Sequence, residues 1–189
     1  AALPADAMTH IKTQTASSSA TISFVDGTSD VVLDDTYPIY LFKFINIHPA
    51  TNDVFFQVNF RDGGSSYDAT KTTTSFFAYH NEADTDTSLA YNTGADVAQG
   101  TGVQKLSLDS VGNGNSESSS GEMYLFNPSS TTYVKHFMAR TNMYHDSDYT
   151  FDNYIAGYCN VTAAIDGVQF TMSSGNIDAG TFKLYGIKD

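Results

Sequence analysis

Apolar and polar residues alternate with period two from Val54 to Arg61: Val54, Phe56, Val58 and Phe60 fall on one face, Gln57, Asn59 and Arg61 on the other. Successive side chains of a strand point to opposite faces, so this segment is predicted to be a strand with one face on a core. Pro38 opens a second kind of pattern, the run Ile39 to Ile47, apolar at nearly every position and therefore read as a central strand. Thr21 to Val25 precedes it, closed by Asp26-Gly27, with a short apolar piece at Val31 to Leu33. Beyond the Asp62-Gly63-Gly64 turn, Thr72 to Tyr79 is expected to be the hairpin partner of Val54 to Phe60. Further strands are predicted at Val103 to Leu108, Glu122 to Phe126, Tyr133 to Tyr144, Tyr149 to Cys159, Ile165 to Met172 and Thr181 to Ile187.

The intervening segments read as turns and excursions. Asn81 to Gly102, rich in Asp, Thr and Gly, is expected to be a long surface loop with one helical turn around Glu82, and Val111 to Ser120 a flexible tip. Residues 1–20 lack sustained periodicity and are read as an amino-terminal arm, with a short helix near Pro4 and a hinge at Ser17 to Ser19; residues 21–189 form the domain. About nine strands with no long helix between them exclude parallel βαβ crossovers. The fold class is all-β, an antiparallel β-sandwich. A jelly roll is preferred to an immunoglobulin sandwich because the Cys-Trp-Cys pattern is missing and the strands are numerous. The last strand is expected beside an early one. Tyr133 to Tyr144, polar and apolar on both faces, is read as an edge strand covered by a neighbouring subunit.

Composition narrows the partners. A chain of 189 residues buries enough surface to need no disulfide, and its single cysteine, Cys159, lies in an apolar strand and is read as a buried, inert thiol. Net charge is −12, which opposes direct binding to nucleic acid and to anionic lipid. There is no 18-residue apolar run, and no basic segment followed by an apolar core at the amino terminus, so neither a membrane span nor a signal peptide is expected.

Catalytic signatures are missing: there is no Gly-x-Ser-x-Gly elbow, His-Glu-x-x-His helix, phosphate loop or dinucleotide fingerprint, and Gly112-Asn113-Gly114 lies in a polar tract rather than between strand and helix. The chain is read as a non-enzyme with no catalytic and no cofactor-binding residues. His10, His48, His80, His136 and His145 show no metal-like spacing. Calcium is the ion that the carboxylates suggest. Glu82, Asp84 and Asp86, spaced one residue apart on a loop, are the candidate metal ligands, with Asp146 and Asp148 a second pair. Tyr67, Tyr91, Tyr149 and Tyr154 lie in or beside turns, where they can pack locally, anchor an interface or contact carbohydrate.

Four segments carry a family likeness. Tyr40 to Pro49, Ala78 to Glu82, Leu125 to Ser130 and Met172 to Ile187 resemble a group of marine tailed-phage virion proteins, especially of cyanobacterial phages, over about residues 37–187. The resemblance implies localisation in a virion and a structural role. Capsid decoration or cement is the leading expectation, with a bacteriophage tail or fibre domain binding host glycan as the alternative. The expected partners are the major capsid protein or another virion protein and, from the exposed edge read at Tyr133 to Tyr144 and the threefold positions of an icosahedral shell, further copies of the chain as a homotrimer. Residues 1–20 would then serve for docking.

Overall fold

The computed structural model describes residues 7–188 as strands, turns and loops. The short helix anticipated near Pro4 lies outside the described residues. The twelve strands are β1 (Met8–Ser19), β2 (Ile22–Val25), β3 (Ile39–Pro49), β4 (Phe56–Arg61), β5 (Lys71–Asn81), β6 (Thr87–Tyr91), β7 (Gln104–Lys105), β8 (Ser119–Phe126), β9 (Lys135–His145), β10 (Tyr149–Cys159), β11 (Gly167–Met172) and β12 (Ile177–Ile187). They form two antiparallel sheets, an eight-stranded one in the order β1-β12-β3-β8-β9-β10-β5-β6 and a four-stranded one in the order β2-β11-β4-β7. The chain is therefore all-β, a sandwich of unequal sheets.

Aromatic side chains fill the space between them. Phe42 and Phe44 of β3 and Phe182 of β12 meet Phe24, Phe56 and Phe170 of the small sheet edge to face, with Phe44 and Phe170 centroids 5.0 Å apart. All six are essentially inaccessible. Burying each contributes about 1.5–3 kcal/mol. The small sheet is too narrow to cover β10 and β5, and the irregular segment 92–118 packs there instead. Its Leu106 and Leu108 are buried, and Leu108 N–H donates to Asn153 Oδ1 of β10.

Several expectations are corrected. The segment read as an arm contains β1, paired along its length with β12; Ile11 and Ala16 turn onto the core, and an outermost strand needs no more apolar side chains than that. Thr72 to Tyr79 is not the hairpin partner of β4: β5 crosses to the larger sheet between β10 and β6, while β4 pairs with β11 and β7. The excursion from Asn81 contains β6, and around Glu82 the chain makes a turn rather than a helix. Val31 and Leu33 are buried but not in a strand, and only Gln104–Lys105 of the 103–108 segment is one. Strand β9 is not an edge. It lies between β8 and β10, with Phe137, Ala139, Thr141 and Met143 buried and His136, Met138, Arg140 and Asn142 exposed. Its mixed composition is that of an interior strand with one wet face. The last strand does sit beside early ones, between β1 and β3.

Candidate functional site

The four strands β9, β10, β5 and β6 extend the larger sheet past β8, and their outward faces carry the candidate site. Register aligns the side chains in rows. In one row Glu122, Arg140, Tyr154, Phe76 and Tyr91 are successive cross-strand partners; in the next, Tyr124, Met138, Ala156 and Thr74. A third row holds His136, Tyr158 and Thr72. Tyr154 and Tyr158 are four residues apart on β10, about 13 Å along the strand. Small Ala156 and Thr74 lie between the first and third rows, so the surface sinks there into a trough.

The trough is apolar with a charged end. Its deepest part, about 360 Å³, is lined by Phe76, Tyr124, Met138, Tyr154 and Ala156, with Arg140 at the rim. It continues past Ala156 into a groove of about 500 Å³ walled by Tyr158 and His136. Those two rings meet edge to face at 6.0 Å. On the opposite side it opens into a polar groove of about 550 Å³ containing Lys43, Glu122, Arg140, Asn142, Thr150 and Asp152. Phe76 and Tyr154 stack with their planes 2° apart and centroids separated by 4.8 Å, and the Arg140 guanidinium lies 5.0 Å over the other face of Tyr154. This layered stack needs β-sheet spacing between its members, which the register supplies.

The charges around the trough are paired with one another. Arg140 donates to both Asp152 oxygens, at 3.0 and 2.7 Å, and Tyr154 Oη donates to Oδ2 at 3.1 Å. Hydrogen bonds from Arg140 chiefly, then from Tyr154, hold the Asp152 carboxyl below the usual carboxylate range against the opposing effect of burial. Lys43 pairs with Glu122. Two ion pairs leave this end locally neutral on a chain whose net charge is −12. Phe76 remains 41 %, Tyr91 50 %, Met138 54 % and Leu89 74 % exposed on the same face. Large apolar side chains are thus gathered on a wet sheet face as an exposed apolar patch.

The residues singled out from sequence are dispersed. Glu82 Oε1 accepts from Tyr144, Asp84 pairs with His80, and Asp86 accepts from Tyr79 and Tyr149. Asp148 also accepts from Tyr144, whereas Asp146 faces Asn52 and His145. Among the described residues no three His, Cys, Asp or Glu side chains are gathered to hold a metal ion. The proposed calcium ligands thus act as separate hydrogen-bond acceptors that tie two strand turns together. Tyr91 and Tyr154 lie on the outer face; Tyr149 is at the sheet end, and Tyr67 packs beside Gly167. Phe76, Tyr124, Met138, Arg140 and Asp152 do not stand out in the sequence pattern. Their signal was large apolar or charged residues at the outward positions of strands whose inward positions already form a core.

One grouping imitates a nucleophile with a base. Ser110 Oγ lies 3.3 Å from His145 Nε2, and an Asp146 oxygen lies 3.0 Å from Nδ1. The Ser147 backbone N–H, however, donates to Nδ1 at 3.0 Å. The N–H needs a lone pair on Nδ1 and the Asp146 carboxylate a proton there, so the two contacts compete and Nδ1 lacks the single carboxylate partner that orients a general base. Ser110 is also buried. The grouping therefore reads as a support for the adjoining turn.

On the inner side, Cys159 lies between Lys71 and Lys135, its partners on the two neighbouring strands. Burial pushes the thiol up to about 12. It stays protonated and unreactive at neutral pH.

Comparison with known proteins finds no matching family model, no matching curated protein and no matching solved structure. The designations drawn from the sequence likeness, namely virion, bacteriophage, capsid decoration, tail fibre and homotrimer, find no counterpart in any of the three and are withdrawn.

Proposed function

We propose that the chain is a non-catalytic association module whose extended sheet docks an apolar side-chain anchor from a protein partner. The observation that carries this reading is the trough on β8, β9, β10 and β5, with an apolar floor, aromatic and methionine walls and an arginine at the rim. Aromatic residues, Met and Arg are the residue types enriched at protein interfaces, and anchors in such pockets dominate binding energy. A net charge of −12 favours a basic partner surface around the anchor.

The architecture fits a scaffold for presenting such a face. The proposed fold is a jelly roll. Support comes from strand order: β1-β12-β3-β8 opposite β2-β11-β4-β7 follows the two-Greek-key sequence of an eight-stranded jelly roll, with β9, β10, β5 and β6 added beside β8. The added strands are the ones that carry the exposed aromatic surface.

Panning a random peptide library on the wild-type protein and on Ala156→Arg tests the function. Ala156 faces the trough floor, so the arginine fills it without entering the core. Enrichment of peptides with an aromatic or aliphatic anchor and basic flanks, lost in the variant at unchanged melting temperature, is the expected result. Absence of any enrichment overturns it. A second reading, binding of host or environmental glycan, is favoured by the polar groove of Lys43, Glu122, Asn142 and Thr150 next to the aromatic row. Saturable binding to a glycan array, abolished by Phe76→Ala while peptides fail to enrich, would replace the first reading with the second.

A further inference from the structure

The far edge of the larger sheet carries a second association surface. Among the described residues strand β1 is paired with β12 alone, and no strand covers its other backbone edge over Met8–Ser19, where the Ser17 N–H is taken by Ser19 Oγ at 3.2 Å. The other free edges among the described residues are short: β6 has five residues, β2 four and β7 two. An open edge of this length is a template for another strand unless proline, bulges or charges guard it. Segment 7–25 contains no proline and no carboxylate, although the chain has 21; its one lysine, Lys12, is paired with the exposed Asp30 at 4.0 Å, which leaves Thr13 to Ser17 as the unguarded stretch. By contrast, Asp84, Asp86 and Asp96 flank β6. The register break between His10 and Lys12 protects only the start of β1, and Ser18, at φ 49°, ends its extended stretch. Between them Thr13, Thr15 and Ser17 are exposed, while Gln14 turns inward and donates to the Ser23 carbonyl.

We infer that this edge pairs with β1 of a second copy of the chain, antiparallel, about a twofold axis perpendicular to the sheet at Gln14. An antiparallel edge is its own complement under such an axis, so a single surface suffices. Side chains that oppose one another must share a face. Centring on Gln14 sets Thr13 opposite Thr15 of the other copy, a cross-strand combination of β-branched hydroxyl residues that favours pairing. Lys12 falls opposite Ala16, so the two lysines stand about 13 Å apart along the ladder, beyond the Debye length of about 8 Å at physiological salt. No carboxylate of 7–25 meets another. Each Lys12 is matched by Asp30 at 4.0 Å, so the edge is locally near neutral and a −12 chain can approach itself here with little local repulsion, forming one continuous sheet.

Sedimentation velocity on the full chain tests this, read alongside the thermal melt of each protein. A dimer is expected to populate on concentration to about 100 µM, the range of a small interface. Thr13→Asp with Thr15→Asp sets like charges opposite one another twice and should leave monomer with an unchanged melt, since both side chains are exposed in the monomer. Thr13→Asp with Thr15→Lys sets opposite charges across the axis twice and should restore dimer. Monomeric wild type at the highest concentration overturns the inference, as does a dimer that survives the double-Asp change. A charge-swapped protein that stays monomeric overturns the Gln14-centred register. None of these outcomes depends on the trough, and Ala156→Arg should not alter the dimer.

Discussion

Lys71 shows how a single buried residue sets a property of the whole chain. Its side chain is inaccessible, and its ammonium donates to the Gly102 carbonyl at 2.7 Å, tying the irregular segment to β5. Burial pushes it from 10.5 down to about 8; the attractions of Cys159, Asp68 and Asp62 only partly oppose this. Because the folded value lies below the unfolded one, the unfolded chain holds more protons between about pH 8 and 10.5, and the Lys71 contribution to stability rises with pH across that window. Below about pH 8 both states are protonated and the whole burial penalty, about 3 kcal/mol at 1.36 kcal/mol per unit, is present. Urea unfolding of wild type and Lys71→Met at pH 7.5 and 10.5 measures it. The wild-type stability should gain about 3 kcal/mol relative to the variant at the higher pH, and parallel pH dependence in the two proteins would show that the buried ammonium is not penalised. Nothing in the sequence around Lys71 announced this. A lysine beginning a threonine-rich strand reads as an exposed terminus, and only the loop folded over β5 buries it.

At the scale of elements, strands whose inward and outward faces differ strongly were legible, as with the alternation of β4 and the apolar run of β3. Partnership was not, because a period-two pattern reports which face is buried and not which sheet a strand joins. That is why the pattern alone matches β5 to β4 and puts β9 at an edge. The weak apolar content of β1 hid it for the opposite reason: a strand that covers only the rim of a core shows little periodicity. The candidate site was half legible. Tyr91 and Tyr154 stand out as turn-side aromatics, but Phe76, Met138 and Arg140 merge into the pattern of their strands, and the pairing that stacks them is a property of the sheet. Close strand approach also depends on glycine. A Cβ on Gly121 would lie 2.2 Å from the Arg140 carbonyl oxygen and 2.7 Å from Thr141 Cα, both backbone atoms that cannot move aside alone. Gly121→Ala should therefore cost about 2–3 kcal/mol by forcing β8 and β9 apart beneath Arg140. Gly102, where a Cβ meets nothing within 4 Å, is the matched control, and Gly102→Ala should leave the thermal midpoint almost unchanged. Equal losses in the two variants would mean that the β8–β9 approach is not what Gly121 maintains.

At the scale of the molecule, the two proposed surfaces lie at opposite ends of one sheet, the open edge at β1 and the trough on the strands added beyond β8. Pairing through β1 would place two troughs on one continuous sheet, and a partner presenting two anchors would then bind with an effective concentration far above that of a monomer. Net charge governs how readily this happens. Two chains of charge −12 repel at long range, while at the β1 edge itself Lys12 and Asp30 offset one another. The repulsion extends about 30 Å at 0.01 M salt but only about 8 Å at 0.15 M, whereas backbone pairing between the edges is short-ranged and little affected by salt. Adding salt should therefore strengthen the dimer. Sedimentation at constant protein concentration from about 0.01 to 0.5 M sodium chloride should show the dimer fraction rising and then levelling once screening is complete. An interface held by ion pairs between copies would give the reverse trend, a dimer that weakens steadily as salt is added, and that outcome would move the contact from the β1 edge to the charged surface elsewhere on the molecule.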